Sequence, residues 1–298
     1  MKNKIMSRKN RAVLLIICSA FFFALMNLFV RLSGDIPSMQ KSFFRNFVAL
    51  FFALGLIIKT KTGLRWKRGN LKYLLLRSAV GTLGILCNFY AIDHIPLANA
   101  SMLNKMSPFF VIVFSIFLLK EKLTVFQGLA VTTAFVGTMF IIKPSFSNIE
   151  FIPSAIALAG GICAGFAYTI VRRLGSTGEK GPLIVFFFSG FSCLVTAPYL
   201  IIDFHPMTAG QLIMLLLAGA SAAGGQFTIT AAYSCAPARE ISVYDYSQII
   251  FAASMGALIL GELPDVYSFV GYGIIITAAV LMFLYNNNVI LKGLRRPE

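Results

Sequence analysis

The sequence predicts an all-α polytopic membrane protein of ten transmembrane helices, arranged as two inverted-topology five-helix repeats with both termini cytoplasmic. Three observations carry that reading. Hydrophobic residues make up 58% of the 298 and charged residues 12%, and the mean hydropathy of +0.81 lies outside the range of soluble domains. The apolar stretches are unbroken runs such as VLLIICSAFFFALMNLFV (13–30), whereas a membrane barrel would alternate in segments of about ten residues. The chain also matches itself at an offset of 141 residues.

In chain order, spans fall near 12–30, 42–58, 72–92, 97–119, 124–142, 153–171, 182–202, 209–234, 240–260 and 266–286. Each is close to the roughly 20 residues that a hydrocarbon core about 30 Å thick requires. Short connections carry the residues that end helices: GDIPS, DHIP, KPSFSNIEFIP, GEKGP, FHPM, CAPAR and GELPD. The expected organisation is a basic N-terminus (1–11), a first repeat (12–142), a second repeat (153–286) and a basic tail (287–298). The N-terminal MKNKIMSRKNR reads as the flank of helix one and not as a signal peptide. The apolar run after it is too long for an h-region, and no A-x-A site follows.

Lysine and arginine set the orientation. With the N-terminus inside, 20 of the 26 fall on the cytoplasmic side, Arg31, Lys41 and Lys143 fall outside, and Arg45, Arg77 and Lys105 lie within spans. The same asymmetry accounts for the net charge of +15 through loops that face anionic lipid, so no nucleic-acid partner is expected. The five cysteines lie in or at the ends of spans without C-x-x-C spacing, and His94 and His205 are far apart. No metal or disulfide framework follows.

In the repeat, GILCNFYAIDHIPLANASMLNKMSPFF (84–110) lies over GQFTITAAYSCAPAREISVYDYSQIIF (225–251) without a gap, and Glu121 meets Glu262 further on. An odd number of helices per copy forces the second copy into the membrane upside down. Inverted repeats of this kind are a device of secondary transporters, in which two similar halves expose one central site to either side.

Over essentially its whole length the chain resembles the drug/metabolite transporter superfamily in its ten-helix EamA type. The stretches that carry the resemblance are YAIDHIPLANASMLNKMSPFF with LLKEKLTVFQGLAVTTAFVG, and AAYSCAPAREISVYDYSQIIFAASMGALILGELPDVYSFVGYGIIITA. The resemblance implies a multi-pass carrier in the plasma membrane, a bacterial inner membrane, with a cavity lined by helices three, four, eight and nine among others. Relatives with an FFRN-like start to helix two, Phe43 to Asn46 here, and a GELPD-type turn are similar to S-adenosylmethionine, riboflavin or amino-acid carriers.

Ionisable residues inside spans cost about 2.5–3.5 kcal/mol each on insertion scales and need a reason. Lys105 lies about 12 Å below the outer end of helix four, within partial reach of the surface by snorkelling. The repeat offers a second reading, because Asn104 and Lys105 are matched by Asp245 and Tyr246 in helix nine. Both charges then sit at depths within about 7 Å of each other, so Lys105 and Asp245 either pair or bracket a zwitterion between them. Asn88 and Tyr90 in helix three, Gln226 and Tyr233 in helix eight, and Tyr244 and Gln248 in helix nine are candidate hydrogen-bonding groups, with Phe89 as a stacking surface. The alternative for each is interhelical glue. Arg45 is kept as a candidate, although Arg45 and Arg77 are both expected to snorkel or hold carbonyls at helix ends. Glu240 with Arg239 opens helix nine, and Asp93, Glu121 and Glu262 at turns are expected to cap helices or form ion pairs.

The function expected is secondary active transport of a small polar or zwitterionic metabolite, amino-acid-like or S-adenosylmethionine-like, by alternating access. The alternatives are export of drugs or amino acids and, further off, a non-transporting bundle or a membrane enzyme. No phosphate loop, H-E-x-x-H or G-x-S-x-G with a partner histidine is present, so neither an enzyme nor a cofactor is expected. The partners expected are the metabolite, the bilayer and a coupling proton or sodium ion.

Overall fold

In lipid every backbone polar group must find its partner within the chain, so long apolar runs become helices. The computed structural model describes residues 8–61, 63–118, 124–143, 150–235 and 242–286. Among them, nine helices are long and apolar enough to cross a membrane. The elements are α1 (Arg8–Leu32), α2 (Ser38–Lys59), α3 (Leu71–His94), α4 (Leu97–Asn104), α5 (Ser107–Leu118), α6 (Val125–Ile142), α7 (Phe151–Ser176), α8 (Gly181–Ile202), α9 (Ala209–Cys235), α10 (Ser247–Met255) and α11 (Val266–Asn286). Glu121, Arg239, Glu240 and the C-terminal tail from 287 lie outside the described residues.

Two expected spans are not continuous helices. The segment 97–119 is α4 and α5, broken at Lys105 and Met106. The cause is Pro108, which has no N–H to offer the Asn104 carbonyl and whose ring crowds it. The chain tightens there, with Met106 N–H bonding Leu103 O at 3.2 Å and Phe109 N–H bonding Met106 O at 3.0 Å. The described part of the segment expected at 240–260 is a 3-10 turn (Ser242–Tyr246), then α10, then a π-helical turn (Gly256–Leu260) that ends on Gly261 at a φ of 68°. A left-handed residue at that point favours glycine.

Each major helix contact joins the two halves: α1 packs on α9, α2 on α8, α3 on α7, α4 on α10 and α6 on α11. Exchanging the halves maps the α1–α9 pair onto the α7–α3 pair. Five membrane passes precede α7, so it starts on the face opposite the start of α1. Glycines let the backbones approach. A Cβ on Gly161 would lie 2.6 Å from the Leu103 carbonyl, at the break between α4 and α5, and one on Gly165 would lie 2.8 Å from the Ser107 carbonyl. Overpacking of this kind costs about 1–3 kcal/mol. Gly161→Ala is therefore expected to lower the melting temperature of the purified protein, whereas Gly175→Ala, with nothing within 4 Å of the new methyl, leaves it unchanged.

The two faces are closed differently. On the face opposite the N-terminus, Lys41 Nζ binds both oxygens of Asp93 at 2.7 and 2.6 Å, Lys143 pairs with Asp265 at 2.6 Å, and Arg31 pairs with Glu262. Partial burial pushes the Asp265 carboxyl up, but hydrogen bonds from Lys143 and Ser268 outweigh it and hold the group below the ordinary carboxylate range. Its contribution to stability is thus present above the ordinary carboxylate pKa and is lost only as pH falls through the depressed value. On the N-terminal face, the Glu179 carboxylate accepts from the Lys67 backbone N–H at 2.7 Å and from Asn70 Nδ2 at 2.9 Å, and Arg173 donates to the Leu118 carbonyl at 2.8 Å.

Candidate functional site

Between the halves lies a central cavity with about 100 Å³ of open space, lined from both sides by residues that include Asn27, Arg45, Arg77, Asn88, Asn104, Lys105, Tyr168, Phe188, Gln226 and Gln248. Its walls follow the repeat. Phe23, Met26 and Asn27 of α1 are matched at offset 141 by Ala164, Ala167 and Tyr168 of α7, and all six line the cavity. So do Ile85 and its counterpart Gln226. The cavity therefore sits on the pseudo-two-fold axis. A larger groove of about 440 Å³, formed by Phe51, Phe52, Gly55, Leu56, Lys59 and Phe227, is almost wholly apolar and open on the outer surface of the bundle. It suits lipid tails and presents no recognition chemistry.

At the break between α4 and α5, Lys105 reaches Asp245 of the 3-10 turn, with Nζ 2.5 Å from Oδ2. Both residues are only 6% exposed, so the snorkelling alternative for Lys105 does not describe this structure. Where the helix tightens, the Lys105 carbonyl loses its acceptor role toward Phe109, and the Tyr246 hydroxyl donates to it at 3.1 Å. Lys105 is thus held at both ends by the residues that match Asn104 and itself in the repeat. Asp245 Oδ1 is buried with no hydrogen-bond partner. Asn88 Nδ2 donates to Asn27 Oδ1 at 3.3 Å, which ties α3 to α1 beside the pair, and Asn88 Oδ1 is left unbonded.

The expectation that Arg45 and Arg77 snorkel toward helix ends is overturned. Arg45 is about 10 Å along α2 from one face and Arg77 about 9 Å along α3 from the other, yet both extend inward. Their guanidinium carbons lie 5.7 and 3.7 Å from the centroid of one ring, Phe188 of α8. Each arginine is 5% exposed.

Of the other sequence candidates, Asn104, Asn88, Gln226 and Gln248 reach the cavity with Lys105 and Arg45, and Asp245 and Tyr246 flank it. Three do not come to it. Phe89 has no exposed surface and packs in the main hydrophobic core, so it offers no face for stacking. Tyr90 stacks on His94 at the end of α3, and Tyr244, 37% exposed, meets Phe283. The side chain of Tyr233 lies outside the described residues. Asn27, Arg77, Tyr168 and Phe188 were not foreseen as lining residues. Extending the offset to helix one would have found Asn27 and Tyr168. Among the described residues, no group of three or more metal-ligating side chains occurs.

The EamA-like transporter family model matches residues 10–143 and 152–284, one match per half. The chain is similar to the pseudopaline exporter CntI of Pseudomonas aeruginosa, 32% identical over 272 residues that span 91% of this chain and 95% of that protein. It is similar to a riboflavin transporter of Brucella anthropi, 27% identical over 278 residues, 89% of this chain and 95% of the other. A solved crystal structure shares the fold at 15% identity, with a TM-score of 0.68 over 93% of this chain and 98% of that one. The chain therefore belongs to the EamA-like transporter family of the drug/metabolite transporter superfamily, and is a multi-pass plasma membrane protein.

Proposed function

We propose that this protein is a secondary active carrier that moves a small polar metabolite bearing both amine and carboxylate groups by alternating access. The single observation that carries the reading is the buried Lys105–Asp245 pair, which joins the two halves where matched helices are interrupted. Opening such a pair is costly in a low-dielectric site unless new partners arrive with the same charges. A zwitterion brings them: its carboxylate takes the place of Asp245 at Lys105, and its ammonium takes the place of Lys105 at Asp245.

On this reading the chain spans the membrane ten times, the segment from 242 to 260 completing the ninth span, and both termini are cytoplasmic. The face tied by Arg31–Glu262, Lys41–Asp93 and Lys143–Asp265 is then the outer one, and the state described is closed to the outside. Kinship with a protein named as an exporter favours outward movement, including export of amino-acid-like compounds. A proton or sodium gradient supplies the coupling. The test is counterflow of a radiolabelled metabolite library in proteoliposomes of the full-length protein, repeated with imposed proton and sodium gradients. Exchange of zwitterions is expected, and absence of exchange for every solute with folded protein would overturn the reading.

A further inference from the structure

Three cations reach the cavity, Arg45, Arg77 and Lys105, and among the described residues the only carboxylate bonded to any of them is Asp245, which is taken by Lys105. Arg45 donates through Nη1 to the neutral Asn46 side chain at 2.7 Å, and its Nε has no partner. Arg77 has neither Nε nor Nη1 bonded. Both side chains are buried to 5% exposure, where an unpaired polar group is penalised. The Phe188 ring face partly offsets the two charges and leaves Arg45 Nε and Arg77 Nε and Nη1 without acceptors. Gly81, one turn along from Arg77, keeps the space for that guanidinium, because a Cβ there would come within 3.1 Å of Nη1.

The two arginine positions also do not follow the repeat. At offset 141 they are matched by Phe186 and Ala218, so neither charge follows from duplication of the fold. Two unbalanced guanidinium forks on one ring match two carboxylate groups, since the planar fork takes a carboxylate through parallel N–H bonds.

We propose that Arg45 and Arg77 form a dianion subsite, and that the cargo carries two carboxylates beyond any charge exchanged with the Lys105–Asp245 pair. The proposal rests on the transport reading above and narrows its substrate class from zwitterions in general to acidic ones. With only about 100 Å³ of open space in this state, the subsite fills as the halves separate.

The test uses the full-length protein in nanodiscs, titrated calorimetrically with succinate, glutamate, butyrate, glutamine and inorganic phosphate. Succinate and glutamate are expected to bind at least tenfold more tightly than butyrate and glutamine. Arg45→Gln and Arg77→Gln each lower diacid binding at least tenfold, and Arg77→Lys, which keeps the charge without the fork, lowers it less. Ligand-free Arg77→Gln melts above the wild type, because an unpaired buried charge has gone; a lower melting temperature would assign the arginine a structural role and overturn the proposal. Equal binding of succinate and butyrate, diacid affinity retained in both glutamine variants, or phosphate binding more tightly than any diacid would each overturn it too. Counterflow confined to neutral or cationic solutes would sink the dianion site alone. Intact diacid binding with no counterflow of any solute would sink the transport reading alone.

Discussion

Lys105→Met is expected to abolish transport and to lower the melting temperature of the purified protein, and Asp245→Asn is expected to do the same. Each change leaves the surviving residue's buried charge without its counter-ion in a site where both residues are 6% exposed. Removing one member of a buried pair costs about 3–5 kcal/mol, most of it the penalty on the survivor. The double variant Lys105→Met with Asp245→Asn removes both charges, so it regains most of the lost stability while remaining inactive. That separation is the informative outcome, because a purely structural pair would return activity along with stability. Thermal unfolding and counterflow on the three variants measure it. Wild-type transport in both single variants would refute the role given to the pair.

Glu262→Gln is expected to open the face opposite the N-terminus. The Glu262 carboxylate pairs with Arg31 at the end of α1 and accepts from the Leu97 backbone N–H at 2.9 Å, at the start of α4. Arg31 in turn donates to the Ile92 carbonyl near the end of α3. One carboxylate therefore ties three helix ends to the turn before α11, and α4 is the helix that ends on Lys105. Glutamine retains an acceptor for Leu97 but loses the ion pair. A coupling of about 1–3 kcal/mol corresponds to a shift of roughly 5- to 150-fold between two states. Hydrogen exchange over residues 92–100 is expected to accelerate, and exchange over 174–184 on the N-terminal face is expected to slow. Unchanged exchange on both faces would show that the latch does not control the equilibrium.

Nine of the ten expected spans are legible as long apolar helices among the described residues, because hydropathy reports burial in lipid directly. The register between halves was legible because short matched segments fell at the same offset. That register sets compatible depths for Lys105 and Asp245, and the structure brings the two together. Rotation about a helix axis was not legible, because helices apolar on every side carry no stripe that points to the core. The sequence alone therefore offers Phe89 and Tyr90 to the cavity and places Arg77 at a helix end. Its depth alone suits either direction, and the decision lies in the Phe188 ring and in the room at Gly81, both tertiary facts. The break at Lys105 had a visible signal in Pro108, four residues beyond the Asn104 carbonyl that it leaves without a donor. The 3-10 and π turns of the second half have no such marker.

The surplus of positive groups around the cavity also bears on the electrical behaviour of the carrier. Moving one elementary charge through a full potential of 100 mV exchanges about 2.3 kcal/mol. With Arg45 and Arg77 unbalanced, the alternating access proposed above makes the empty cavity carry a net positive load across part of the field. Occupied by a dianion, the same step carries none. In the cycle proposed above, voltage then acts on the return of the unloaded carrier and spares the loaded crossing, so an imposed potential sets the cycling rate.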